Sequence, residues 1–199
     1  LRLKSECEPD AIAVAFDLKA PTFRHEMYSE YKAGRKGMPP ELRSQMPIIK
    51  EILGYLGCCV VEKEGFEADD ILGTLSAQCK GEDMCYIATG DRDSLQLISD
   101  NTNVLLAATK MGKAVTTQYN KEKLREEYGV DPKGMIEIKA LMGDSSDNIP
   151  GVAGIGQKTA GDLIINYGNI DYIYDHIDEL DIKKSVREKL IAGKDSAYL

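Results

Sequence analysis

The sequence predicts an α/β fold, a central, mostly parallel sheet flanked by helices, and three observations carry that prediction. Residues 11–16 (AIAVAF) form a short continuous apolar run ending at Asp17, and residues 84–89 repeat the design, ending at Gly90-Asp91. Such runs, apolar without alternation, read as strands covered on both faces, the habit of parallel sheets. Between them, residues 41–56 and 67–80 have helical apolar spacing; in the second, Ala68, Ile71, Leu72, Leu75 and Cys79 fall on one face. The order strand, helix, helix, strand places helices on a sheet whose ligand sites lie beyond the carboxyl ends of its strands.

Taken in order, Leu1-Arg2-Leu3-Lys4 has the character of the tail of an amphipathic helix, so the chain is expected to start inside a domain. Residues 103–109 and 114–119 flank Lys110-Met111-Gly112-Lys113 as a β-hairpin. From Lys121 onward the pattern is helical, with Gly129, Gly143 and Gly168 as left-handed stops after residues 121–128, 133–142 and 157–167.

With 199 residues, 43% of them hydrophobic, the chain can bury one core, or one core and a small satellite. No apolar run approaches the roughly eighteen residues of a membrane span, and no charged-then-apolar leader is visible. Five cysteines, odd in number and without Cys-x-x-Cys spacing, argue against a disulfide framework or a zinc site and fit a reducing cytoplasm. His25, in Arg24-His25-Glu26, and His176, beside Asp175, build no zinc pattern, and no serine or cysteine nucleophile motif is present.

A formal charge of −8 argues at first against a nucleic-acid partner. Its distribution reopens that possibility: between Lys32 and Lys50 the chain carries Lys32, Arg35, Lys36, Arg43 and Lys50 against Glu41 alone. Surplus carboxylate elsewhere is what a protein that holds divalent cations needs, and bound cations cancel part of that field where a phosphate must approach.

The acids at element ends are Asp17; Glu67, Asp69 and Asp70; Asp91 and Asp93; and Asp144 and Asp147. Glu67 and Asp70 share one helical face in a first turn, where the helix dipole favours them. Asp91 and Asp93 straddle Arg92 and in an extended stretch point the same way. Asp144 and Asp147 bracket two serines in a polar loop. Oxygen-rich sets suit magnesium or manganese, and a pair of ions about 4 Å apart stabilises the attacking and leaving oxygens of a phosphoryl transfer. Each cluster alone also reads blandly, as helix-start acids, turn residues or caps. What favours a metal site is that buried-strand ends and helix starts supply acid repeatedly, with almost no basic partners expected nearby.

Gly151, Gly154 and Gly156 precede a helix that opens with Gln157-Lys158-Thr159. Glycines let backbone amides approach a phosphate, and the helix start adds its dipole. The spacing is neither a Walker loop nor a dinucleotide fingerprint, so a sugar-phosphate backbone is the better ligand, and a plain helix–helix turn is the alternative. In residues 28–36 (YSEYKAGRK), Lys32 and Arg35 are i, i+3 neighbours on any helix and suited to one phosphate, with Tyr28 or Tyr31 placed to stack on a base; a solvated surface helix is the alternative.

Six ordered motifs add a resemblance that spans essentially the whole chain: residues 13–17 (AVAFD), 23–26 (FRHE), 31–35 (YKAGR), 67–70 (EADD), 90–93 (GDRD) and 143–152 (GDSSDNIPGV). In this order they resemble the 5'-3' exonuclease domain of bacterial DNA polymerase I, a relative of flap endonucleases. The resemblance implies a PIN-like nuclease core over residues 1–142 with an arch segment, and a helix-three-turn-helix duplex-binding region over residues 143–199. It implies a first divalent ion on Asp17 and Asp69, with Glu67 and Asp70 beside them. A second ion would be served by Asp91, Asp93, Asp144 and Asp147, the metal being Mg2+ or Mn2+. Lys32 and Arg35 would meet the scissile phosphate. Arg24, Tyr31, Gly151, Gly154, Gly156, Lys158 and Thr159 would touch DNA, and carbonyls of Val152 and Ile155 would hold K+.

The implied activity is structure-selective cutting at the junction of a 5' flap and duplex, in primer removal and repair, by a monomer with a polymerase domain possible on the same polypeptide. The family's opening strand, with a further metal-binding aspartate, is expected upstream of Leu1, and the pattern is expected to continue past Leu199. A compact metal-dependent ribonuclease is the nearer rival, disfavoured by the duplex-gripping segment from Asp144 to Tyr167. A non-catalytic DNA-junction binder is the other, disfavoured by the acid set.

Overall fold

The computed structural model describes residues 2–199, with Lys110 described by its backbone alone; Leu1 of the opening helical reading lies outside these residues. The chain divides into two compact units, one of residues 1–27 and 35–74, the other of residues 28–34 and 75–199.

The first unit opens with α1 (Arg2–Cys7) and contains β1 (Ala13–Ala15), α2 (Phe23–Met27), α3 (Pro40–Tyr55), β2 (Cys59–Val61) and the start of α4 (Ala68–Ser76). Strands β1 and β2 pair in parallel, Ala13 opposite Cys59 and Ala15 opposite Val61. The short β2 was not foreseen: Cys59-Val60-Val61 is too brief a run to separate from the helix before it by periodicity. In α3, Pro39 and Pro40 open the helix, where a missing N–H costs nothing, while Pro47 interrupts its interior. α4 stops at Ser76, four residues before the expected end, and closes in i to i+3 bonds from Gln78 to Leu75 and from Cys79 to Ser76.

The second unit holds a three-stranded sheet of β3 (Cys85–Thr89), β4 (Thr102–Lys110) and β5 (Lys113–Tyr119). β3 and β4 are parallel, and β4 and β5 form the expected hairpin. Ile87, Val104, Leu105 and Leu106 are buried, Leu105 on the opposite face of the sheet from Val104 and Leu106, and the 3-10 helix η1 (Arg92–Leu97), with Leu95 at 0% exposure, packs against β3 and β4. The strands thus form two hydrogen-bonded sheets among the described residues, parallel except for β5.

Six helices follow: α5 (Lys121–Tyr128), α6 (Pro132–Met142), α7 (Gln157–Tyr167), α8 (Ile170–Asp175), α9 (Lys184–Ala192) and α10 (Lys194–Ala197). They close over one apolar cluster that includes Ile138, Leu141, Val152, Leu163, Ile173 and Leu190. The three glycine stops all take positive φ, but only Gly129 sits in the left-handed helical well; Gly143 and Gly168 adopt other conformations. No helix is long and apolar enough to cross a membrane among the described residues, and the five cysteines form no disulfide.

Tyr119, 4% exposed at the end of β5, donates its phenol proton to Glu127 Oε2 at 2.7 Å. Burial and the Glu127 carboxylate push its pKa up to about 12. Because the unfolded phenol ionises near pH 10, this contribution to stability is intact below about pH 10 and is lost as pH rises toward about 12. Denaturant melts across that range are expected to show a falling limb that Tyr119→Phe makes shallower; an identical slope in the variant would exclude Tyr119 as its source.

Candidate functional site: two sets of carboxylates and a glycine turn

In the first unit, β1 runs out toward Asp17, whose Oδ1 accepts the Ala68 N–H at 2.6 Å. That N–H is one of the unsatisfied donors at the start of α4, so the strand-end carboxylate caps the helix from a distance of 51 residues in sequence. Asp70 turns back to accept the Glu67 N–H at 2.8 Å. The guanidinium of Arg24, on α2, grips both Asp70 oxygens at 2.8 Å and stands 4.0 Å from Glu67 Oε2. Glu67 is 9% exposed, whereas Asp17 and Asp69 reach solvent.

Arg24, expected to touch DNA, is engaged here by carboxylates of its own unit. Its fork pairs with Asp70, and its guanidinium carbon lies 4.5 Å above the Phe23 ring. A planar bidentate donor locks a carboxylate more firmly than a point charge can.

In the second unit, β3 delivers Asp91, which caps η1 by accepting the Asp93 N–H at 2.9 Å. The expectation of an extended stretch with both acids side by side is corrected here: the chain turns into η1, because an aspartate two residues ahead of a free N–H favours that local bond. Asp144 forms a bridge with Ile149 that closes the turn after α6, and its Oδ1 accepts Ser146 N–H and Oγ at 2.8 and 2.7 Å. Asp147 accepts from Tyr31 Oη at 3.2 Å and lies 3.9 Å from Lys32 Nζ. The Lys32 N–H also donates to the Asp147 carbonyl at 2.9 Å.

Two expectations for residues 28–36 fail on these contacts. Residues 29–34 are turns and not a helix, with Lys32 at φ +56°, so Lys32 and Arg35 are not helical neighbours. Tyr31 is 7% exposed, so its ring cannot serve as a stacking platform; Tyr28 remains half-buried. Tertiary bonds to the Asp144–Ile149 turn outweighed local helix spacing.

The expectation of acids with almost no basic partner is overturned as well. Lys139, in the last turn of α6, donates to Asp93 Oδ1 at 2.8 Å and to Asp144 Oδ2 at 2.6 Å. Sequence reading passed over Lys139; the available signal was one lysine on the apolar helix segment Met135–Met142, five residues before Asp144. Burial raises the Asp144 carboxyl, but bonds from Lys139 and Ser146 outweigh it and bring the pKa down to about 2. Burial also raises Asp93, and there Lys139 only partly offsets it while the charges of Asp91 and Asp144 add to the rise. Burial alone would lower Lys139, yet its two acid partners raise it above the ordinary lysine value.

Hard oxygen donors, two of them already drawn together by a cation, fit a divalent ion chemically. As they stand, no three His, Cys, Asp or Glu side chains are grouped as a ready metal site among the described residues. Arg24 and Lys139 occupy carboxylate oxygens that such an ion would use.

The glycine turn lies in the same unit. Val152 and Ile155 are buried in the helical core, Val152 donating to the Leu141 carbonyl and accepting from the Ile155 N–H. Gly154 takes φ +77° and its carbonyl accepts from Lys189 Nζ at 3.1 Å. Gly156 stands at the start of α7 with no side chain capping it, leaving the first-turn amides beside exposed Lys158 and half-buried Thr159. A cleft of about 660 Å³ lies between η1, α6 and α7, and its walls carry Asp93 and Lys139 together with Gln157 and Lys158.

Known proteins share this fold. A family model described as the 5'-3' exonuclease N-terminal resolvase-like domain matches residues 1–129, and one described as the 5'-3' exonuclease C-terminal SAM fold matches residues 130–199. DNA polymerase I of Caldicellulosiruptor bescii is 46% identical over 200 residues, covering 100% of this chain and 23% of the relative. The chain thus spans about a quarter of that relative's length. Among solved structures, the T5 D15 protein co-crystallised with metal ions superposes with a TM-score of 0.77 at 25% identity, over 99% of this chain and 76% of that one. A D15 flap endonuclease variant in a pseudo-enzyme-product complex with DNA and metal ions gives 0.75 at 25% identity, over 99% and 74%. With both family models matched end to end along the sequence, the chain belongs to the 5'-3' exonuclease family, a resolvase-like domain followed by a SAM fold.

Proposed function

We propose that the chain is the 5' nuclease region of a bacterial DNA polymerase I, cutting DNA phosphodiesters near the junction of a 5' flap and duplex during primer removal and repair. The observation that supports this reading is the cleft of the second unit, where Asp93 of η1 and its partner Lys139 share walls with the start of α7. A phosphate backbone held by α7 amides, Lys158 and Thr159 runs along the same surface as the carboxylates. The D15 complex with DNA and metal ions, similar over almost the whole chain, supports the same reading.

In this reading Asp17 and Asp69, with Glu67 and Asp70 beside them, hold one divalent ion, and Asp91, Asp93, Asp144 and Asp147 hold another, Mg2+ or Mn2+. Two such ions supply charge stabilisation for the attacking and leaving oxygens. Asp17 stays aimed by its bond to the α4 start, and Arg24 keeps Asp70 and Glu67 from turning away. Lys32 and Arg35 meet the scissile phosphate. The turn of Gly151, Gly154 and Gly156 forms the bend of a helix-three-turn-helix grip on duplex, in which carbonyls of Val152 and Ile155 hold K+. Residues 1–142 serve as the catalytic core and residues 143–199 as the grip, and a polymerase domain follows on the same polypeptide.

The test uses labelled 5'-flap DNA and the full-length protein: product released near the junction with magnesium and none with chelator is expected. Equal cleavage of single-stranded RNA would favour the ribonuclease alternative, and tight flap binding without product would favour a non-catalytic binder. Lys32→Ala is expected to slow single-turnover cleavage by on the order of a hundredfold, the cost of one preorganised donor, with a smaller change in duplex affinity. Equal losses in the two measurements would remove Lys32 from the scissile phosphate.

A further inference from the structure

Lys139 lines the cleft beside the proposed metal ligands, and the reaction above leaves it without a role. Its two acceptors come from different elements, Asp93 from the start of η1 and Asp144 from the turn after α6, and one ammonium joins them. Their side chains are 34% and 17% exposed, so their mutual repulsion is poorly screened unless a cation lies between them.

Resting on the reading of Asp93 and Asp144 as ligands of a divalent ion, we propose that Lys139 is a built-in stand-in for that ion. It holds the two carboxylates together in the metal-free protein and leaves them when the ion binds. An ammonium 2.8 and 2.6 Å from the two oxygens fills the space an ion needs at coordination distances of about 2.0–2.6 Å, so both cannot be there at once. A lysine carries its charge on a flexible four-carbon stem, and the open cleft beside it lets the ammonium withdraw while α6 stays in place. Lys139 is therefore a positioning residue. It preorganises the carboxylates and lowers the apparent metal affinity by the fraction of molecules in which it is engaged.

Two measurements on the full-length protein test this. In calorimetric titration with Mn2+, Lys139→Met is expected to bind about tenfold more tightly than wild type, since the competing cation is gone, while Lys139→Arg, which keeps the charge, stays near wild type. Without metal the Met variant melts lower than wild type, and the gap closes at saturating Mn2+. In the wild type, reductive methylation read by mass spectrometry should modify Lys139 slowly without metal and severalfold faster at saturating Mg2+, with Lys158 unchanged as reference. The second measurement needs no variant to fold. A folded Lys139→Met protein with unaltered Mn2+ affinity, or a Lys139 methylation rate indifferent to saturating Mg2+, overturns the proposal alone. A wild type without saturable divalent binding overturns it together with the metal reading of the acids.

Discussion

Gly151→Ala is expected to destabilise the protein by more than about 3 kcal/mol, or to prevent folding, and to abolish any cleavage with it. Gly151 has φ +57°, and a Cβ there would lie 2.2 Å from Gly143 N and 2.6 Å from Gly143 Cα and Met142 C. All three are backbone atoms at the end of α6, so no side chain can rotate away. Relief requires moving α6 from the turn that carries Asp144 and Asp147, whose closing bonds, between Asp144 and Ile149, are 2.8 Å in both directions. The left-handed conformation adds about 1–3 kcal/mol of its own. Gly161→Ala is the control: it lies inside α7 with nothing within 4 Å of the added Cβ, and the change should be neutral or stabilise by about 0.5–1 kcal/mol. Thermal melts decide between them, each kcal/mol shifting Tm by about 2–4 °C in a chain of this size. A Gly151→Ala protein melting with wild type would show that the Gly143–Gly151 approach is not a constraint.

Asp17→Ala should cost flap cleavage on the order of a thousandfold or more, the several kcal/mol of charge stabilisation a bound metal supplies. The same side chain caps α4, and loss of a cap destabilises by about 1 kcal/mol. Asp17→Asn separates the two roles, because an amide oxygen still accepts the Ala68 N–H but no longer presents a carboxylate. Asn is expected to restore most of the melting temperature and little of the activity. If Asn restored cleavage along with stability, Asp17 would be a cap and not a metal ligand.

The first unit illustrates what local pattern can and cannot reveal. The apolar run before Asp17 announced β1, and the acids at residues 67–70 announced the start of α4, because a strand's burial and a helix's first-turn chemistry are written within a few residues. β2 stayed hidden because a three-residue strand carries no period. That Asp17 caps α4, or that Arg24 holds Asp70 from 46 residues away, has no local trace at all.

The second unit repeats the lesson with larger consequences. The β4–β5 hairpin and the positive-φ glycines at 129, 143 and 168 followed from turn chemistry. The helix expected around Lys32 did not form, because Asp147, 116 residues beyond Tyr31, offered that segment better partners than its own next turn. Tyr31 went from a stacking surface to a buried hydroxyl donor for the same reason.

By itself, then, the amino-acid order determined which chemistry the chain carries: carboxylates at strand ends and helix starts, a glycine turn before α7, and six motifs whose order marks the family. These are properties of residue type and short spacing, and the chain states them directly. Only the tertiary structure decided how that charge is balanced, placing Arg24 on Asp70 and Lys139 between Asp93 and Asp144. Partly buried carboxylates need a counter-charge, and which cation supplies it depends on where packing brings a distant helix, which no local spacing encodes.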